Sequence, residues 1–461
     1  MGFDLRQVVA GILTITMFVM LGHMIKREHF DSAGDNFPDE IDDEFSIGKV
    51  RDSVHGKNSN GPWLEDTTDL TPCWEKSSFD EVEQTEGFVT FSLTNGPEYH
   101  VSQVINQFLT HPSNSVLVTL FDYLSIALLP ALSIVLLGSV RCLSQVADAV
   151  VVARYLGATL VLPDIRGNIA GDKRKFEEIY DVAKFIKSLE GVVKVVEELP
   201  EEISNRDIVV AKVPNRVSED FIVEQVEPLY KKKKNIRLAT YFPSVNMRKF
   251  SNAVKSNSDS VACLGMFGTL KLKDEITEVV DHMMERLKTL GRVSGSRFVA
   301  VDLRVDMLEN KGCHEGGSSV TKSCYTAQEI AVFLRKIGFN KDTVIYLTQS
   351  KWVDSLDGLR DMFPRTYTKE SLLPASKKSK FLDAEDSELE RVLDFYVCSQ
   401  SDVFVPAISG LFYANVVGQR IANGKTEVLV PATIAGTSAQ FSYHFSPYIS
   451  KKSHLAYSCF C

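Results

Sequence analysis

Residues 401–410 read Ser-Asp-Val-Phe-Val-Pro-Ala-Ile-Ser-Gly and run into Leu411-Phe412-Tyr413-Ala414-Asn415. The short apolar run, rich in β-branched and aromatic side chains, predicts a buried strand. Ser409 and Gly410 then form a small-residue turn, and the apolar segment after them is compatible with a helix. Strand, tight turn and helix start together leave backbone N–H groups and a positive dipole end aimed at one spot, which suits a phosphate. Turns of this kind also join strands to helices where no ligand binds, so the segment needs partners before it becomes a site.

Cysteine offers a second chemistry. Of eight cysteines, Cys313 and Cys324 flank ten residues that include Gly316 and Gly317, which predicts a disulfide-closed loop in an oxidising compartment. Zinc is the alternative, with His314 beside Cys313. Neither this spacing nor Cys459 with Cys461 at the chain end makes a four-ligand set. The net charge of −9 argues against a nucleic-acid binder. The one basic block, Lys231, Lys232, Lys233 and Lys234, reads as a solvated loop flanking a strand.

A scaffold must hold these groups, and the apolar runs indicate which. Strands are expected over 87–93, 159–163, 208–213 and 236–242, with an amphipathic helix over 176–189 and a long helix over 274–290. A second series follows: strand 297–303, helix 327–337, and strands 343–347, 403–406 and 427–431. Strands alternating with helices predict parallel sheets. Two such series predict two α/β domains with a cleft between them, over 87–290 and 291–435, followed by a tail over 436–461.

The first residues have a different character. Residues 8–25 are eighteen consecutive uncharged positions between Arg6 and the pair Lys26-Arg27, near the lower limit for a membrane span. With no evident cleavage site they read as an uncleaved signal-anchor within 1–27, the short tail cytoplasmic and the body lumenal; a cleaved signal peptide is the alternative. Residues 28–72 carry the acidic run Asp39, Glu40, Asp42, Asp43 and Glu44 with few apolar neighbours, which predicts a flexible stem.

One region interrupts the pattern. Residues 115–140 are apolar enough to suggest a second span, a multi-span reading that Asp122 and Pro130 weaken. Ser102-Gln103-Val104 recurs as Ser144-Gln145-Val146 at its borders. Removing 105–146 joins Val104 to Ala147 and restores one continuous helix in a strand–helix–strand unit. The insert is therefore expected to lie outside the working fold, as a retained intron or an erroneous gene model would.

With the insert set aside, three segments resemble the plant branch of the protein O-fucosyltransferase family. They are Asn95-Gly96-Pro97 with its helix and the strand Ala158-Thr159-Leu160-Val161-Leu162-Pro163; Ala300-Val301-Asp302-Leu303-Arg304; and residues 401–410. Phe363-Pro364 and Thr368-Lys369-Glu370 match the family as well. The likeness covers about 87–431, and the whole chain is similar to a plant group of mannan-synthesis-related glycosyltransferases.

The resemblance implies a GT-B fold of two Rossmann-type domains, a GDP-sugar donor, inverting chemistry, and neither cofactor nor metal. The absence of an apolar-flanked Asp-x-Asp fits the last point. It implies a single-pass type II protein of the Golgi membrane acting on a mannan or glucomannan acceptor in cell-wall synthesis. GDP-fucose is the family donor, and GDP-mannose is open given the pathway. Arg304 matches the family arginine and would hold the diphosphate, since its charge is permanent and its geometry bidentate. Ser409 and Gly410 would contact the same diphosphate, and Asp402 would orient the loop or the guanosine side; a strand or turn cap is the alternative for Asp402. Asn95 and Gly96 belong to the family's glycine-rich turn.

Two departures stand out. Asp302 occupies the usual histidine position, where it would pair with Arg304 or act as a base. Glu98, Tyr99 and His100 replace a Leu-Asn-Gln type turn, with Glu98 and His100 as acceptor-side candidates. These departures keep a second reading open: a non-catalytic accessory protein that assists or primes a polysaccharide synthase.

Overall fold

Two parallel sheets carry the chain. The computed structural model describes residues 62–63, 70–74, 79, 83–94, 146–166, 173–214, 216–240, 257–310, 313, 324–382, 388–432 and 444–460. The expected anchor, nearly all of the stem, the apolar insert up to residue 145, and Asn95, Gly96, Glu98 and His100 lie outside those residues. Among the described residues no helix is long and apolar enough to cross a membrane.

The first sheet is built from β1 (Phe88–Thr90), β3 (Thr159–Val161), β6 (Val195–Val196), β7 (Ile208–Val213) and β8 (Asn235–Thr240), in the order β6-β3-β1-β8-β7. Every neighbouring pair is parallel. The expected strand over 87–93 breaks at Phe91. Its second half, β2 (Ser92–Thr94), leaves for a small sheet with β4 (Asp164–Arg166) and β5 (Lys173–Lys175). No Gly, Pro or Asn marks the break, and Phe91, Ser92 and Leu93 stay buried through it.

Helix α1 (Val146–Tyr155) is buried on nearly every face, as a helix without a polar side must be. It packs on the helix Asn257–Phe267, where a Cβ at Gly265 would come within 2.9 Å of the Ala147 Cα. Only glycine permits that approach. Val146, assigned above to the insert, is fully buried and opens this helix; its duplicate, Val104, is the residue an excision would leave in its place.

The expected helix over 176–189 is two pieces, a 3-10 turn at Phe176–Glu178 and α2 (Val182–Leu189). Asp181 accepts the Lys184 N–H at 2.9 Å and caps α2, so a good N-cap residue ends the pattern from within. The lysine block is the last turn of α3 (Glu227–Lys233) plus Lys234 at φ +62, not a loop. Cations there face the negative end of the helix dipole.

Next come α4 (Asn257–Phe267) and α5 (Asp274–Leu290). The backbone before α5 is tied to the first unit, Asp181 N–H donating to Lys271 O and Lys273 N–H to Ile179 O, both at 2.9 Å. The helix itself packs against the second sheet. That sheet comprises β9 (Phe298–Asp302), β10 (Val344–Leu347), β11 (Thr366–Tyr367) and β12 (Val403–Pro406) in the order β11-β10-β9-β12, all parallel. Its three longer strands are wholly buried, as parallel strands covered on both faces are.

Helix α6 (Val305–Asn310) follows β9 directly and α7 (Ala327–Lys336) precedes β10. Val299, Val301, Ile345, Leu347, Val403 and Val405 share one core with α7. Phe298, Ala300, Val344, Tyr346 and Phe404 face the other core, with α5, α8 (Glu388–Gln400) and α9 (Leu411–Ala422). This is the period-2 alternation of a two-faced sheet. The expected strand over 427–431 reaches β12 only through an isolated bridge, Val428 to Phe404. Pro431 has no N–H with which to extend it.

The C-terminal segment returns across both units. Helix α10 (Ala456–Cys459) packs on α9 and α4, and Cys459 is disulfide-bonded to Cys263 of α4. Cys313 and Cys324 are bonded to each other, so neither is a free thiolate for zinc.

Candidate functional site

Strands β9 and β12 are hydrogen-bonded neighbours that end together, Pro406 opposite Asp302. Each then turns into a helix at the same sheet edge. Arg304 O accepts the Leu308 N–H at 3.1 Å to open α6, and Gly410 O accepts the Ala414 N–H at 3.1 Å to open α9. Gly410 sits at φ +141 with open space where a side chain would project. No side chain caps α9, and Ser409 is buried just before it.

Arg304 meets that turn. Its guanidinium carbon lies 5.2 Å from the centre of the Phe412 ring, in the first turn of α9. Its Nε is 3.3 Å from Asp302 Oδ1. Asp302 is 1% exposed and the Arg304 side chain 15%, so the carboxylate is buried and the arginine largely so. Asp302 is thus the ion-pair partner of Arg304, the first of its two expected roles.

A polar network stands behind the pair. Thr348 Oγ1 donates to Asp302 Oδ1 at 3.0 Å, and Gln349 Oε1 accepts the Val305 N–H at 2.9 Å. Lys369, 1% exposed, donates to Thr348 O. Its Nζ also lies 2.7 Å from Asp394 Oδ2 and 3.2 Å from Glu390 Oε1. Tyr346 donates its hydroxyl to Asp394 Oδ1 at 2.6 Å. Burial pushes the Asp394 carboxyl up to about 6, against the pull of the Lys369 ammonium.

Sequence reasoning missed Phe412 and this network. Phe412 reads as one more apolar helix residue, and the Lys369–Asp394 pair spans 25 positions. The only signal was Thr368-Lys369-Glu370, noted as a matching stretch without a role.

Asp402 stands elsewhere. Its Oδ2 accepts the Phe298 N–H at 2.9 Å, at the entry of β9 and β12 and a strand's length from the Ser409-Gly410 turn. It closes the start of the sheet, where a first-strand N–H needs a partner. Asp402 is therefore a strand cap and not part of the turn site. Asn95, Gly96 and His100 fall outside the described residues, whereas Arg304, Asp302, Ser409 and Gly410 come together.

Chemically, this edge offers a permanent cation in a low-dielectric setting beside a helix N-terminus. Both favour an anion, and both would strengthen as negative charge accumulates on it. Asp302 partly neutralises the cation and fixes its direction.

A family model described as GDP-fucose protein O-fucosyltransferase matches residues 143–423. Protein MANNAN SYNTHESIS-RELATED 1 of Arabidopsis thaliana is 54% identical over 466 aligned residues, covering 100% of both chains. Protein MANNAN SYNTHESIS-RELATED of Trigonella foenum-graecum is 42% identical, covering 99% of each. Among solved structures, NodZ alpha-1,6-fucosyltransferase soaked with GDP-fucose is 13% identical. It covers 77% of this chain and 100% of its own with a TM-score of 0.37, a loose similarity.

Proposed function

The chain belongs to the GDP-fucose protein O-fucosyltransferase family, and we propose that it transfers a sugar from a GDP-sugar to a mannan-type glycan. The observation that carries this reading is the convergence of Arg304 with the start of α9 at one sheet edge. An acceptor hydroxyl attacks the anomeric carbon of the donor, the bond to the β-phosphate oxygen breaks, the hydroxyl proton is released to solvent, and GDP leaves with increased negative charge. Arg304 and the Ser409-Gly410 helix start stabilise that charge. Direct displacement inverts the anomeric centre, and these protein groups take the place of a metal. Two parallel sheets, each with its own helices, support a GT-B arrangement.

The relatives' names supply the mannan context, and GDP-fucose and GDP-mannose are the two donors to test. The disulfides Cys263–Cys459 and Cys313–Cys324 support an oxidising lumen, which suits a Golgi type II protein anchored through residues 8–25. A second reading rests on Asp302. A carboxylate against the anion-binding arginine weakens it, which favours an accessory protein that binds GDP-sugar without turnover while assisting a synthase. The test is transfer from both donors to mannan oligosaccharides by solubilised full-length protein. Transfer that Arg304→Ala abolishes supports the enzyme; GDP binding with no transfer to any acceptor supports the accessory role.

A further inference from the structure

The polar network behind Arg304 crosses the sheet in strand order. Lys369 follows β11, Thr348 follows β10, Asp302 ends β9, and Arg304 reaches Phe412 beyond β12. Thr348 is 1% exposed and each of its polar groups is used: N–H to Val301 O, carbonyl from Lys369 Nζ, hydroxyl to Asp302 Oδ1. The same Asp302 oxygen that takes this hydroxyl faces Arg304 Nε. A buried lysine beside two acidic side chains is a weak source of stability, since desolvation offsets most of the attraction. Replacing such buried charges by hydrophobic residues is often neutral or stabilising, so the charges here point to a demand for geometry.

Resting on the proposed diphosphate role of Arg304, we infer that Thr348 and Lys369 are positioning residues that aim the Arg304 guanidinium at the start of α9. Lys369 fixes the Thr348 backbone, Thr348 fixes the rotation of the Asp302 carboxylate, and the carboxylate holds Arg304. Neither Thr348 nor Lys369 touches the donor.

Thr348→Val removes the hydroxyl and keeps the volume, whereas Thr348→Ser keeps the hydroxyl. In full-length protein, Thr348→Val is expected to weaken GDP binding about ten-fold and Thr348→Ser less than about two-fold, the scale of one lost hydrogen bond to a charged group. In an Arg304→Ala background, Thr348→Val and Lys369→Met are expected to add less than about two-fold, because coupled residues are non-additive. A general loss of packing would give the same loss in both backgrounds and overturn the inference. A crystal structure of unliganded Thr348→Val decides the matter independently of GDP. Arg304 displaced from Asp302 and Phe412 supports positioning, and Arg304 unmoved refutes it. Unchanged GDP affinity in Arg304→Ala alone would instead refute the diphosphate role.

Discussion

The Arg304 guanidinium carbon rests 5.2 Å from the centre of the Phe412 ring. The two residues lie on neighbouring strand–helix turns, so the contact locks the direction of the cation to the direction of the α9 dipole. The ring face attracts the cation and helps to hold it beside the start of α9.

Arg304→Lys keeps the charge and loses the planar fork. GDP affinity is expected to fall about ten-fold or more, because a point charge cannot reproduce bidentate contact. Calorimetric titration with GDP measures it. Phe412→Leu is expected to give a smaller loss in the same titration.

Gly410→Ala meets no neighbouring atom, so steric collision is not the issue. The backbone at φ +141 is the issue. The strain is expected to cost about 1–3 kcal/mol of stability, read from denaturant midpoints, and to weaken GDP binding by reshaping the turn.

His454 ties the C-terminal segment to α9. Its Nε2 lies 3.1 Å from Ala414 O and its Nδ1 accepts the Ala456 N–H at 3.0 Å. Burial holds its pKa down at about 3, against a smaller upward pull from the Ala414 carbonyl. The unfolded chain therefore binds the extra proton first, and stability is lost as pH falls from about 6.5 toward 3. At pH 5 this amounts to about 2 kcal/mol relative to pH 7. Denaturant midpoints at both pH values check it, and His454→Gln is expected to flatten the difference.

Cys263→Ser opens a disulfide of sequence separation 196 that fastens α10 to α4. The loss is expected to be about 2–5 kcal/mol, visible as a lower melting temperature. A melting temperature equal to that of wild type would show that the bond is idle in solution.

Much of the sheet framework could be read from the sequence because parallel buried strands are short apolar runs. The spans 208–213 and 403–406 correspond to β7 and β12, and 274–290 to α5. Two of the differences share a cause: local pattern is blind to partners distant in sequence. Phe91 gives no sign that the next residues join another sheet, and Asp402 resembles a ligand-facing acid until Phe298 is seen beside it. Within the candidate site, Ser409-Gly410 could be singled out as a small-residue turn after an apolar run, and Arg304 through the family resemblance. Thr348, Lys369 and Asp394 were not, since their meaning lies in one another.

Titration of GDP and guanosine into wild type and Arg304→Ala tests the account most directly. Equal guanosine affinity in the two proteins, with GDP bound about ten-fold or more tightly by wild type, is the expected result. Equal GDP affinity in both proteins would contradict it.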